Sequence, residues 1–597
     1  MKKAFCLSLL VPFINITNAQ TVVVTAEKVK RSYSNSTSSI VSISREEIDS
    51  SQASDLPELL KSKAGIATFS NSSFGKASTV LLRGNDNRHT LIELDGVVIN
   101  DVTGIAGAPR LEFLPLDLIE SIEVIKGSQS VLYGSGAIGG VVKITTRKSD
   151  TPVTSVSVGY GSYNNQQASF NTSGKNGNIS YSLTGASQKV DGISAYNEDR
   201  LAFSEKDEFD NLSLFGKIKY QVSKTDEIDF LLGRSSSTYD FDSSTGDVIN
   251  STSTVKTSLV GLKYFKNINN FLKPSLEVSN YDISRDLISS GSYFPYSGRQ
   301  QEVELENKSY FGMSQLLSGI KYSTETAKKL GSTSDKSRDN ERVAFYLNSN
   351  TEISKLNIDL GVRRETYKFF EDENVYKVGA NLEVLEGLSI KSSYSTGVKS
   401  PSLYQTFSSL GNKSLKAEKS KSFEAGFIMT HQLFNLEAVY FNTSYRDYIN
   451  AIEISPSTYQ YSNTNKAEID GYEVSLDTTI AEKLILDLNY THLDALDKTN
   501  GTYLLRRPRS SASLNITLLQ SDSLEFGLLN TFVGRRADSS TVTLGSYVVT
   551  HLTSRYRVNN KQIIDFKIGN LLDREYEQVS SFGTPDRNYN IKYTHRF

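Results

Sequence analysis

The sequence predicts a membrane all-β protein: an antiparallel outer-membrane β-barrel of about 22 strands, its lumen plugged by an N-terminal globular α/β domain. Three observations predict it. Residues 150–597 alternate apolar and polar side chains again and again. Nowhere does the chain hold the ~18 consecutive apolar residues that a membrane helix needs. Residues 20–148 read differently, with short β segments, many glycines and one helical stretch over 53–61.

Taken in order, the chain opens on a secretory signal over residues 1–19. Lys2 and Lys3 supply the charged end, Ala4 to Ile16 the apolar stretch, and Thr17-Asn18-Ala19 a small-residue cleavage site. That stretch is too short to span a bilayer. The single cysteine, Cys6, lies inside it, so the mature chain is expected to lack disulfides and cysteine–zinc sites. The balance of 65 basic against 67 acidic residues offers no basic field for nucleic acid. Residues 20–27 hold a short β-prone run, Thr21, Val22, Val23, Val24, Thr25 and Ala26. Such a run can add a strand to an exposed sheet edge, or serve as an ordinary first strand of the next domain. Residues 28–148 form that domain. A barrel of the predicted size would leave an open pore unless something filled it, and a globular plug does so.

Residues 149–597 are the barrel. Leu212, Leu214, Gly216, Ile218, Tyr220 and Val222 alternate with polar or bulky residues, and Leu356, Ile358, Leu360 and Val362 repeat the pattern. So do Leu484, Leu486, Leu488 and Tyr490. Period two separates the two sets onto opposite faces, but it does not say which face looks inward. A soluble sandwich alternates too. The number of segments, broken by Asn/Ser/Gly/Asp-rich turns, exceeds what a sandwich uses. The last strand places Tyr589, Ile591, Tyr593, His595 and Phe597 on one face, with Phe597 as the terminus. With 32 Tyr, 28 Phe and no Trp, any aromatic girdle must be built from the first two.

Successive blocks then carry a family likeness. Leu82-Arg83-Gly84, Leu91 to Val97, Ile119 to Gly127 and Ser130 to Ile144 resemble, in order, the signature blocks of TonB-dependent receptor plugs. In the barrel, Gly397 to Leu403, Leu415 to Ser420, Glu424-Ala425-Gly426, Ile469 to Glu473, Leu505 to Pro508 and Gly569 to Tyr576 resemble the same family, with Ala417 where proline is usual. A terminal aromatic such as Phe597 resembles the signal read by the outer-membrane assembly machinery. Within the family the sequence looks most like the vitamin B12 (cobalamin) transporters.

The resemblance implies a monomeric receptor in the outer membrane of a Gram-negative bacterium, surrounded by its lipid, that actively imports a scarce nutrient. Cobalamin is the expected ligand, with a ferric siderophore, haem or another small ligand as the alternative. It further implies that Thr21 to Ala26 is the TonB box, pulled by TonB with ExbB and ExbD as the energy source. Arg83 and Lys126 match basic plug positions whose barrel partners are Glu424 and Glu473; Lys126 stands where arginine is usual, so one two-pronged contact is lost. Ligand-contacting positions carried over by resemblance are Ala77, Thr79, Asp86, Ile105, Ala106 and Phe241, with Arg506 or Arg507 from the barrel. Tyr293, Phe294 and Tyr296 form an aromatic loop that either covers the ligand or packs on itself.

Two acidic loops contain Asp191, Glu198, Asp199, Glu205, Asp207, Asp210, Asp240, Asp242 and Asp247. By resemblance Glu205, Asp207, Asp240 and Asp247, with Asp191, fall on calcium ligands. Hard oxygen donors at short spacing suit Ca²⁺, though solvated acidic loops read the same way. No catalytic constellation is present. The histidines at 89, 431, 492, 551 and 595 are scattered, without a second ligand at metal spacing. A passive porin would have neither plug nor TonB box.

Overall fold

The computed structural model describes residues 23–24, 28, 31–147, 152–200, 204–330, 337–455 and 458–597. The expected signal segment and Thr21, Val22, Thr25 and Ala26 lie outside the described residues. Among the described residues, 22 long antiparallel strands from Val153 to Arg596 close into a barrel, with a two-residue strand, Thr502–Tyr503, added beside Leu484–Asp497. Closure comes from pairing the first strand, Val153–Gly161, with the last, Asn588–Arg596, in register from Ser155↔Arg596 to Gly161↔Asn590. Beyond that register the Phe597 N–H donates to the Thr154 carbonyl at 2.9 Å. Each strand therefore has two neighbours, and no backbone edge is left facing lipid.

The open question of facing is answered by exposure. Leu212 is 61% exposed on the outer wall, whereas its neighbour Ser213 is 2% exposed in the lumen. Leu214, Ile218, Tyr220, Leu360, Val362, Tyr589, Ile591 and Tyr593 likewise look outward. The apolar faces contact the membrane, and the polar faces line the lumen, the reverse of a sandwich. Turns at one end are as short as residues 177–178, 312–313 and 560–561, while connections such as 191–208, 400–417 and 570–587 at the other end are long. Barrels of this class place short turns toward the periplasm and long loops outside.

Inside sits the plug. Its mixed sheet runs in the order Ile40–Ile43, Ile119–Lys126, Gly140–Thr146, Thr90–Leu94, Val97–Val98, with Thr90–Leu94 parallel to Gly140–Thr146. Ile43, Leu56, Leu60, Ile92, Leu94, Ile122, Val124, Val142 and Ile144 are buried together. Apolar burial of about 25 cal/mol per Å² makes this cluster the source of the plug's own stability. The expected helix over 53–61 is shorter, Leu56–Lys61. Asp55 accepts from the Glu58 N–H at 2.8 Å as its N-cap, and Pro57 occupies the first turn, where a missing donor costs nothing. The plug presses against the wall where barrel residues lack side chains. A Cβ on Gly361 would lie 2.7 Å from Val131 Cγ1, and one on Gly397 would lie 2.5 Å from Ser128 Oγ.

Removing Phe597 deletes an end of the closing seam and an aromatic that is 71% exposed, with no lumen contact to lose. The expected outcome is less folded barrel in the membrane with unchanged uptake per assembled molecule. Heat-modifiable gel migration and uptake counted on the same cells measure both quantities. Full assembly of the truncated chain contradicts this reading of the terminal strand.

Candidate functional site

Plug and barrel meet at a buried charge node. Arg83 follows the strand Ser78–Leu82 on a tight turn with φ +50°, and its N–H donates to Gly65 O at 2.6 Å. A non-glycine residue in the left-handed region is held there by its surroundings, here by the contacts of the guanidinium. Arg83 Nη1 donates to Glu424 at 2.6 Å and Nη2 donates to Glu473. Lys126 Nζ lies 2.7 Å from the same Glu473 Oε1 and 3.3 Å from Ala64 O. Phe441 packs beneath the guanidinium at 4.8 Å. The node thus brings together all four residues that the sequence placed at the interface. Lysine supplies one point of contact where a fork would supply two, and Glu473 Oε2 is left buried without a hydrogen-bond donor.

Other interface charges went unassigned in the sequence. Arg88 Nη2 donates to Glu418 at 2.9 Å, and His89 Nε2 lies 3.2 Å from that carboxylate. Burial pulls the His89 imidazole below its ordinary range. Lys63 bridges Glu47 and Asp487, and Lys28 reaches Glu304 and Glu306 at 2.7 and 3.1 Å. Glu418 lies inside the quoted Leu415 to Ser420 block, but nothing local marked it as a partner of Arg88 and His89, which are more than 300 residues away.

Toward the long loops, the expected ligand positions separate into groups. Ala77 and Ile105 are exposed at plug apices, and Thr79 is partly so, while the Ala106 side chain is buried on a residue with φ +58°. Asp86 joins the plug to the wall: it accepts from Arg507 Nη2 at 3.4 Å and from the Tyr448 hydroxyl at 3.3 Å. Arg507 Nε also donates to Gly84 O at 3.0 Å. The two arginines of this corner therefore diverge. Arg506, with φ +60°, turns to Asp538 at 2.8 Å and away from the plug. Phe241 is half-buried, its ring 6.3 Å from that of Tyr239. Tyr293 is exposed and donates to Asp286 at 2.6 Å, whereas Tyr296 lies under Arg285 at 4.1 Å.

The acidic loops converge. Carboxylate oxygens of Glu205, Asp242 and Asp247 all lie within 4.8 Å of one another. Asp242 was part of the acidic run but not an expected ligand; its Oδ2 accepts from the Tyr196 N–H at 2.7 Å and its Oδ1 from the Val248 N–H at 2.8 Å. Asp207 is buried beside it and accepts from the Ala195 N–H. Burial and the neighbouring Asp242 push the Asp207 carboxyl up to about 7. Among the described residues, Asp207 Oδ1 and Asp247 Oδ1 are buried without a hydrogen-bond donor. Asp240 and Asp191 stand apart from the trio, accepting from the Glu208 N–H at 3.3 Å and from Asn164 Nδ2 at 3.1 Å. Lys76, at a plug apex, donates to the carbonyls of Asp207 and Glu208 at 3.0 and 3.2 Å, tying the plug to this loop.

A closed barrel with apolar outer walls, a docked plug and long loops around its apices defines a gated receptor of the outer membrane. The TonB dependent receptor-like β-barrel family matches residues 144–571, and the TonB-dependent receptor plug domain matches residues 32–141. The chain belongs to the TonB-dependent receptor family, whose members are transporters and not enzymes. It is 27% identical over 576 residues to the vitamin B12 transporter BtuB of Vibrio vulnificus (strain YJ016), covering 94% of this chain and 92% of that protein. Its fold is similar to a crystal structure of a mutant ferric enterobactin receptor, PfeA, from Pseudomonas aeruginosa, with TM-score 0.83, 18% identity and coverage of 96% and 100% of the two chains. The siderophore receptor PirA from Acinetobacter baumannii gives TM-score 0.82 at 18% identity, covering 94% and 98%.

Replacing Arg83 with alanine leaves Glu424 buried without its cation and Glu473 with only Lys126. Breaking a buried pair from one side costs about 3–5 kcal/mol. The expected outcome is faster amide hydrogen exchange throughout the plug sheet, with exchange in the barrel strands unchanged. Plug protection equal to that of the unmodified protein contradicts a locking role.

Proposed function

We propose that this receptor imports cobalamin, with TonB pulling on the segment Thr21 to Ala26 and with ExbB and ExbD supplying the energy. The observation that carries the ligand is the likeness to a vitamin B12 transporter along nearly the whole of both chains. The likeness to siderophore receptors concerns the fold alone. Val23–Val24 pairs antiparallel with Arg31–Ser32, so these two residues have the extended form that strand addition uses.

Glu205, Asp242 and Asp247, with Asp207 beside them, support a calcium role in the same reading. Two loops rich in carboxylates repel each other. A divalent cation between them would order both before the ligand arrives and so remove an entropic cost of binding. Phe241 stands next to Asp242 in sequence and would be fixed by the same ordering. The plug apex at Lys76 would sense the change through its contacts with the Asp207 and Glu208 carbonyls.

Equilibrium binding of the purified protein to cobalamin and to a panel of ferric siderophores tests the ligand. Cobalamin is expected to bind and the siderophores not; the opposite result contradicts the proposal. Chelating calcium should weaken cobalamin binding about tenfold, or ~1.4 kcal/mol. The Asp242→Ala, Asp247→Ala variant should bind as weakly with calcium as the unmodified protein does without it. Affinity indifferent to chelator removes the calcium role and leaves the ligand assignment standing.

Coupling has its own test. Val23→Pro removes a ladder donor and fixes φ, so strand addition to TonB fails. Uptake should be lost while cobalamin still binds at the surface, and normal uptake rules out this segment.

A further inference from the structure

A cavity of about 380 Å³ separates the plug from the sector of wall around the closing seam. Its outer side is formed by Val153–Gly161, Asn165–Asn176, Ile179–Val190 and Asn588–Arg596. Its inner side is formed by the plug helix Arg45–Ser51 and by residues 112–117. Val153 and Arg596 border the lower end, and both are exposed there, on the side of the short turns. Phe74, Phe113 and Phe209 border the upper end, beside the long loops. The cavity is thus a cleft running along the height of the barrel.

This sector of wall differs from the rest in charge. Residues 153–190 hold only two charged side chains, Lys175 and Lys189, and among the described residues neither forms an ion pair with the plug. Ion pairs hold the plug on either flank, Lys592 Nζ to Asp117 at 2.7 Å and Lys217 Nζ to Asp95 at 3.2 Å. Between those flanks Ser155, Ser157, Gln167, Ser169 and Gln188 line the cleft with hydroxyls and amides. Some of these bond within the wall, Ser157 to Thr594 at 2.9 Å and Gln188 to Asn165 at 3.1 Å. A polar space far above the ~10–15 Å³ that one water needs suits a hydrated solute. Moving along neutral donors and acceptors, such a solute exchanges one hydrogen bond for another and breaks no buried ion pair, which is the costly step.

One layer of apolar side chains closes the upper end. Val190, Phe209 and Tyr239 are direct cross-strand neighbours at one height, and they are buried in the same cluster as Phe113 and Leu114 of the plug. The Phe113 ring lies 6.4 Å from that of Phe209 and 5.6 Å from that of Tyr239. Gly75, on a plug turn with φ +71°, sits so close to Phe209 that a Cβ there would run into its ring. The next inward layer below is Gln188, Asn211 and Ser237, all polar. The barrier is therefore one side chain thick. Apolar constrictions of this kind stop water and ions by dewetting. The layer is also attached to the acidic loops. Phe209 follows Asp207 and Glu208, whose carbonyls accept from Lys76, and Tyr239 precedes Asp240.

We propose that this cleft is the route by which the imported nutrient passes the plug, and that the layer of Phe113, Phe209 and Tyr239 is its outer gate. A solute larger than the cavity needs it widened, and towards residues 153–190 no ion pair among the described residues resists that. Ordering of the acidic loops would move the gate through the backbone of Asp207, Glu208 and Asp240. The route holds for whichever nutrient is carried.

The double variant Phe113→Ala, Phe209→Ala removes two rings of the layer, neither of which takes part in an ion pair. Its planar-bilayer conductance should exceed that of the unmodified protein at least tenfold, with amide exchange in the plug sheet unchanged. Added to that variant, Ser169→Cys in the cleft should let a membrane-impermeant thiol reagent block the current. Ser279→Cys, on the strand Lys273–Ser289 outside the cleft, should not. Conductance no higher than that of the unmodified protein overturns the proposal. So does current that appears only with loss of plug protection, which assigns it to a displaced plug, and so does equal block at both cysteines. Filling the cleft with Ser169→Trp should stop cobalamin uptake while surface binding is kept, an arm that rests on cobalamin as the ligand; normal uptake overturns the route. If the unmodified protein binds no cobalamin, the ligand reading fails and the conductance comparison still decides the route.

Discussion

A closed sheet that turns most of its apolar side chains toward lipid leaves mainly polar ones for its lumen, and much of this molecule follows from that inversion. A body that fills the lumen must match the charges it buries against that wall. The plug accordingly meets the wall through Arg83, Arg88, Lys126 and Lys63 on one side and Glu424, Glu418, Glu473 and Asp487 on the other, beside shared apolar clusters that join Ile138 to Phe441 and Val131 to Val375. Buried ion pairs add little net stability compared with apolar packing, but a mismatch among them is costly. Such pairs set the register of the plug.

The same logic links the gate to the outer surface. Plug apices reach the loop end and end on loop backbone: Lys76 on the carbonyls of Asp207 and Glu208, Arg507 of the barrel corner on Gly84 O and Asp86. Ordering the acidic loops therefore bears directly on the plug, through a few hydrogen bonds between fixed groups. The periplasmic end is tied by Lys28 to Glu304 and Glu306, close in sequence to the paired strand at Val23–Val24. The loop end and the short-turn end of the barrel are thus connected through one small domain.

Much of this was legible in the sequence, and for physical reasons. Period-two alternation survives in every strand because each barrel residue faces either lipid or lumen, so strand number and the plug–barrel division could be read before any coordinates. The direction of facing could not, because Leu212 and Ser213 alternate identically in a sandwich. Arg83, Lys126, Glu424 and Glu473 were legible because they stand in blocks that resemble the family. The Arg88–Glu418 pair was not, because its partners are distant in the chain and only closure of the barrel brings them together. Among the acidic loops, composition pointed to the cluster but not to its members. Asp242 enters and Asp240 leaves because backbone N–H groups of Tyr196, Val248 and Glu208 decide how each carboxylate is turned.

Planar-bilayer conductance of the purified receptor as a function of urea tests most directly the claim that the plug is a separate body, set in register by charge pairs, that fills the lumen and can be removed. The account predicts an insulating protein without urea. At concentrations that leave the barrel heat-modifiable, a large steady conductance should appear and vanish when urea is washed out. Steady conductance without denaturant, or a barrier that persists until the barrel itself unfolds, would contradict it.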